Sequence, residues 1–165
     1  HIRGVAFGDG VFVAVGGTDV SVSSDGLTWD IEMLHGAANA RYIAYGNGIF
    51  VGIGDGGSII ASSDSGQNWS VTTLGTGSWV SVLYGNGYFY IGDGATLYRS
   101  TDGIGWQLVN TTNGITPRAI VGSTLFGTSG TAFQRSDDGG FSWIELAPLI
   151  YGSGFTDSVV EGESP

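Results

Sequence analysis

The chain has no cysteine and no lysine, only three prolines, and no apolar run longer than the five residues Val11–Val15. Each absence closes a class of explanation. Without cysteine there is no disulfide, no thiolate metal site and no cysteine nucleophile. Without about 20 consecutive apolar residues no helix spans a bilayer, and no segment keeps the 3.6-residue apolar period of an amphipathic helix. Five arginines against fifteen acids leave a formal charge of −10. A surface of that sign repels phosphate, so nucleic acid is not an expected partner. Docking on an anionic membrane through basic residues is equally disfavoured. The two histidines, His1 and His35, stand far apart, and no Asp-rich loop has ligand spacing, so neither a metal nor another cofactor is expected.

Glycine is what the chain has in excess, 31 of 165 residues, and it recurs with a beat. The stretch Ser62-Ser63-Asp64-Ser65-Gly66-Gln67-Asn68-Trp69 has near-copies at Ser23–Trp29, Ser100–Trp106 and Ser136–Trp143. Their tryptophans fall at 29, 69, 106 and 143. A second marker keeps step: Phe7-Gly8-Asp9-Gly10, Tyr45-Gly46-Asn47-Gly48 and Tyr84-Gly85-Asn86-Gly87, with Val121-Gly122-Ser123-Thr124 as a fourth copy that lacks the second glycine. Two markers in register define a repeat.

Within a repeat the order is constant. Asn47-Gly48 supplies the two positive φ angles of a type I′ hairpin turn between Arg41–Tyr45 and Ile49–Ile53. Gly54–Gly57 turns the chain again, Ser58–Ser62 forms a third strand, and the Asp-bearing box leads into a fourth at Trp69–Thr73. Four antiparallel strands in about 38 residues make one propeller blade. The expected fold is therefore all-β: a β-propeller of four 4-stranded antiparallel blades, either a complete small ring or part of a larger one. Its boundaries are residues 1–147, with repeats at about 1–36, 37–76, 77–113 and 114–147. Residues 148–165 form a C-terminal tail or a truncated fifth repeat, since Tyr151-Gly152-Ser153-Gly154-Phe155 resembles the start of one but follows Trp143 too closely. Three arrangements are open: a tail packed under blade one that helps to close the ring, a fragment of a larger propeller, or homo-oligomeric subunits that supply missing blades. The start at His1 reads as trimmed, processed or internal to a longer chain.

In the box, the carboxylates of Asp25, Asp64, Asp102 and Asp138 can accept N–H groups of their own turns. Trp29, Trp69, Trp106 and Trp143 can fold over the hairpin with the indole N–H on a nearby carbonyl. These boxes resemble those of the Asp-box, or BNR-repeat, β-propellers, a group that includes sialidases, photosystem-assembly-type factors, and phage tail and bacterial surface proteins. The resemblance covers about residues 3–146 and implies that the box residues are structural and lie on the rim.

The tight first and third turns fall on one face of such a fold, so a site is expected on the other, among the second turns and the blade connections. There Arg3, Arg41 and Arg118 stand near the starts of first strands, and the candidate reading is a row of cations for a carboxylate, sulfate or acidic sugar. The alternative is local pairing with Asp. Trp79, outside any box, either stacks on a sugar or packs between blades. His35 lies in a connecting loop of the same face. No catalytic residue is expected. A sialidase resemblance would imply six blades and an acid set on the axis, whereas Glu32 and Glu145 follow box tryptophans on outer strands and Glu161 and Glu163 lie in the tail. The expected role is a non-catalytic structural or adhesive module, extracellular or on a virion or cell surface, with assembly proteins or a surface glycan as partners. The alternatives are a lectin-like module, a glycosidase and a protein-docking assembly factor.

Overall fold

The computed structural model describes residues 1–33, 39–110 and 114–146. His35 and the tail from 147 onward lie outside the described residues. Blade one consists of β1 (Gly4–Gly8), β2 (Val11–Gly16), β3 (Asp19–Ser23) and β4 (Asp30–Met33). Blade two holds β5 (Ala40–Gly46), β6 (Ile49–Gly54), β7 (Ser58–Ser62) and β8 (Ser70–Thr73). Blade three holds β9 (Ser81–Gly85), β10 (Tyr88–Gly92), β11 (Leu97–Ser100) and β12 (Gln107–Asn110), and blade four β13 (Thr116–Val121), β14 (Thr124–Ser129), β15 (Ala132–Ser136) and β16 (Ile144–Glu145). Every sheet is an antiparallel meander in chain order. The first strands stand side by side in the row β1–β5–β9–β13, which makes them the innermost strands.

The turn chemistry explains the hairpins. Asp9 and Gly10, Asn47 and Gly48, and Asn86 and Gly87 all have positive φ, the requirement of a type I′ turn whose twist matches its strands. Blade four departs from the expected alignment. Gly122 itself occupies the first turn position at φ 58°, and the register Val121↔Thr124 matches Gly8↔Val11 in blade one. Val121, not Gly122, thus stands where Gly8, Gly46 and Gly85 stand. With no Asn or Asp to tolerate the left-handed position, glycine moves into the turn and the strand ends on a branched side chain.

That shift matters because the last residue of each first strand meets the next blade. The Tyr45 ring lies on Gly8 and the Tyr84 ring on Gly46, so close that a β-carbon on either glycine would overlap the ring. Ile120 lies on Gly85, 2.6 Å from where its β-carbon would be. Each ring also leans on the phenylalanine paired with it across its own hairpin, Tyr45 on Phe50 at 4.7 Å and Tyr84 on Phe89 at 4.8 Å between centroids. Phe50 and Phe89 are fully buried. The box presses on the same seam from the outer side. The α-carbon of Gly66 faces Val22 and Val13 of blade one, Gly103 faces Val51 and Ala61 of blade two, and Gly140 faces Leu97 and Val109 of blade three. The cores follow these seams, with Val13, Val15 and Val20 of blade one gathered with Phe50, Ile60 and Trp69 of blade two.

The row has two uncovered ends. Phe7 and Phe12 repeat the tyrosine–phenylalanine pair of blades two and three, 4.7 Å apart, yet Phe7 is 58% exposed where Tyr45 and Tyr84 are half-buried. Val5, Ile31 and Trp29 are exposed on the same side. At the other end, Ala119, Val121, Phe126 and Phe133 line a shallow apolar recess on the outward side of blade four.

Two stability outcomes follow. Gly46→Ala forces the Tyr84 ring off its seat and lowers unfolding free energy by about 1–3 kcal/mol, the range for an overpacked core, whereas Gly48→Ala meets open space and costs about 1 kcal/mol for its positive φ alone. Trp69→Ala costs about 3 kcal/mol, near the low end for aromatic truncation. Trp29→Ala, on the uncovered face, costs about 1 kcal/mol. Chemical denaturation of the four variants measures all of these.

Candidate functional site

Loops on the two faces of the blades differ in what their side chains still have to offer. On the box rim every described carboxylate of the repeat is engaged. In blade one, Asp25 Oδ1 accepts the N–H groups of Leu27 and Thr28 at 2.8 Å, and the Thr28 hydroxyl donates to both carboxylate oxygens. Asp64 accepts from the Asn68 N–H at 2.9 Å and its side-chain amide at 2.7 Å. Asp102 accepts from Ile104 and Gly105, and Asp138 from the Ser142 N–H and hydroxyl. The box serine completes each turn. Ser23, Ser62, Ser100 and Ser136 donate to the box carboxylate and accept the N–H of Gly26, Gly66, Gly103 and Gly140. All four serines are buried. In the sequence these serines stood as the opening residue of each box with no role assigned; their fixed place two residues before the aspartate was the available signal.

The indoles do as expected. Trp29, Trp69, Trp106 and Trp143 donate Nε1–H to the carbonyls of Gly26, Gly66, Gly103 and Gly140 at 2.8–3.3 Å. These bonds shape the acid–base properties. The Thr28 and Leu27 N–H groups hold the Asp25 carboxyl at about 2. The N–H and amide of Asn68 hold Asp64 at about 2, and the hydroxyl and N–H of Ser142 hold Asp138 at about 2. Such groups stay ionised at neutral pH and are unsuited to proton transfer. A recess of about 280 Å³ runs between the second and third boxes, lined by Ile49, Asp64, Trp69, Asp102 and Ile104 among others, and its two carboxylates are those already bound in their own turns.

The opposite face gathers a different cluster. Gly54–Gly57 makes a tight turn, with Gly56 and Gly57 at positive φ, and it is tied to the connection to blade three by Gly57 N–H to Gly77 and Trp79 N–H to Gly54. Asp55 sits in that turn. Its carboxylate accepts from Asn39, from the side chain of Ser78, and from Arg41 Nη2 at 2.6 Å. These three donors, Asn39 foremost, hold the Asp55 carboxyl below the usual range. Arg41 is the residue bulged out between Ala40 and Tyr42 in β5, and the bulge re-aims its side chain toward the turn. The cluster joins blade two, its entry and its exit.

Of the two readings of the arginines, the row of cations is not formed. Arg41 is neutralised by Asp55, the local pairing that an acidic chain favours. Arg3 precedes β1 and is exposed, its backbone N–H on the Val15 carbonyl. Arg118 is bulged out of β13 between Pro117 and Ala119, at a rung nearer the tight turn than Arg41 occupies in β5. It lines the recess on the free side of blade four and reaches Thr128 at 3.2 Å. One residue of slip in a strand turns a side chain to the other face. Trp79 is 3% exposed and packs edge-on against Tyr98 at 5.7 Å in the core between blades two and three, so its ring is no platform for a sugar. Its Nε1–H has no partner among the described residues. Among the described residues no group of His, Asp or Glu could hold a metal ion.

Known proteins share this architecture. Residues 32–149 match the DUF6242 beta propeller domain. No curated protein sequence matches the chain. Among solved structures, YCF48 bound to D1 peptide is 21% identical with a TM-score of 0.66, over 87% of this chain and 53% of that one. YCF48 from Cyanidioschyzon merolae is 18% identical with a TM-score of 0.68, over 88% and 56%. The Niastella koreensis GH74 enzyme is 20% identical with a TM-score of 0.65, over 87% and 24%. The chain thus spans about half the length of the two YCF48 structures.

The box carboxylates predict an acid limb of stability. Their depressed values mean a contribution fully present above their ordinary value of 3.8 and lost as pH falls through about 2. Urea unfolding should show constant stability from pH 7 to about 4.5 and a steep fall below. Asp64→Asn should flatten that fall, and carboxyl NMR titration of Asp25, Asp64 and Asp138 should give midpoints near 2.

Proposed function

The chain belongs to the DUF6242 β-propeller domain family, and on that premise we propose that it is a non-catalytic scaffold, a structural or adhesive module that docks other macromolecules of an extracellular, virion or cell-surface assembly. One observation carries the reading. Among the described residues, the box carboxylates are committed to their own turns and Asp55 to three donors that fix the connection between two blades. A general acid needs a carboxyl whose pKa is raised toward the working pH, and here the shifted carboxyls move the other way. What the scaffold offers instead is a rigid row of blades with varied connections on one face, the usual place for recognition on a regular fold.

A protein or peptide partner is favoured over a glycan by the burial of Trp79, which removes the aromatic platform a sugar site uses. The likeness in fold to YCF48 bound to D1 peptide is in keeping with this.

Two assays test the proposal. Turnover of fluorogenic sialosides and of β-glucan oligosaccharides is expected to be nil, and any turnover lost in Arg41→Ala overturns the non-catalytic reading. In peptide display against the immobilised chain, binders are expected whose affinity falls at least tenfold with Val80→Asp on the connection face and stays within twofold with Ile104→Asp on the box rim. Binders that respond only to the rim variant, or a glycan array with Arg3-dependent binding and no peptide binders, contradict it.

A further inference from the structure

The boxes of blades two and three come to rest on one kind of surface, and the box of blade four on another. In each receiving blade that surface includes one cross-strand pair: Val13 with Val22 in blade one, Val51 with Ala61 in blade two, and Tyr90 with Arg99 in blade three. Gly66 meets the first pair and Gly103 the second, and both pairs are aliphatic. The third pair puts a cation and a buried phenol in the seam instead. Arg41 and Arg135 each pair with an aspartate, but among the described residues no carboxylate pairs with Arg99.

Blade three supplies one half of the setting for this cation. The Arg99 guanidinium stands over the Tyr88 ring, 4.5 Å from its centroid, and Nε donates to Gln107 Oε1 at 3.1 Å. The box of blade four supplies the other half. The same guanidinium stands over the Phe141 ring at 4.7 Å. Gly139 makes room for it, since a β-carbon there would be 3.3 Å from Arg99 Nη1. A guanidinium is weakly hydrated and stacks on aromatic faces, so rings can take the place of water around it. The other boxes lack both residues. Box two carries Ser65 and Gln67 where box four carries Gly139 and Phe141, and the shorter boxes one and three carry Leu27 and Ile104 after their glycine.

We propose that Arg99 and the Gly139–Phe141 turn form a key that admits blade four, and no other blade, to the seat on blade three. A chain of four near-copies has to sort them, because a wrong blade, or a blade of a second copy, presents nearly the same backbone. Aliphatic seats accept any box of about the right shape, so sorting needs an element that penalises the wrong one. On blade three, box two would press the Ser65 β-carbon toward the guanidinium, and boxes one to three would all cover it without a ring. The key stands in the seam whose axis side is least distinctive, where Ile120 takes the place held by Tyr45 and Tyr84 in the other two. The inference goes beyond the docking role above and does not rest on it, because it concerns packing between blades and not the connection face.

Exchange of box residues in the full chain tests it. Gly139→Ser with Phe141→Gln gives blade four the residues of box two, and Arg99→Ala gives blade three the residue that blade two has at Ala61. The φ of 78° at Gly139 penalises serine alike with and without Arg99, so the ratio of the two losses isolates the key. By equilibrium denaturation, the exchange should lower the folding constant at least about fivefold more in the presence of Arg99 than in Arg99→Ala. Losses that agree to within about twofold on the two backgrounds overturn the proposal. NMR of the unaltered chain gives a second readout that needs no variant to fold. The δ-protons of Arg99 should be shifted upfield by the rings and show NOEs to Phe141, and random-coil shifts without those NOEs overturn the proposal as well.

Discussion

A side chain resting on bare backbone holds this protein together. Blades are flat, and two flat sheets splayed about an axis touch well at only a few points. The first-strand seam brings them closest, and there the chain places a ring or a branched side chain on one blade and no side chain at all on the other. Tight apposition gives dispersion contact over the full ring face, and Phe50 and Phe89 are sealed from water behind it. The box completes the seam from the rim: its glycine lets the turn close onto the preceding blade, and its aspartate, serine and indole hold that turn in one shape. Elements that look like separate motifs in the sequence are thus two ends of one joint.

This joint is directional, and direction explains the two end faces. Blades two to four present a ring or Ile120, together with the box glycine, backward, and blades one to three present a bare glycine and aliphatic side chains forward. The first blade therefore exposes aromatics, Phe7 and Trp29, while the last exposes the side lined by Phe126 and Phe133. The exposure of Trp29 follows from its position in the row, since it makes the same bond to its turn as the three tryptophans with a blade in front of them.

Much of the fold was legible because its signals are local. The Asn-Gly and Asp-Gly turns state their own φ angles, and the box names its turn by residue type, so the four-stranded blades and their order could be read without any long-range contact. The alignment of the fourth repeat failed for a physical reason: glycine serves two purposes here, as a positive-φ residue and as a seat for a ring. Gly122 serves the first where Gly46 serves the second. The site was less legible. Whether Arg41 is a free cation or a paired one depends on Asp55, a turn residue fourteen positions on, brought near by a bulge that no pattern announces. Trp79 looked like a lone ring in a loop, and only the angle between blades two and three decides that it is buried.

The most direct test of this account is a double-mutant cycle across the first seam, with Gly8→Ala, Tyr45→Ala and the pair compared by chemical denaturation. If the ring sits on bare backbone, the added methyl is costly only while the ring is present, and the double variant should be more stable than the sum of the single effects by about 1 kcal/mol or more. Effects that add to within about 0.5 kcal/mol would mean that ring and glycine do not meet, and the joint described here would not be the one that holds the blades.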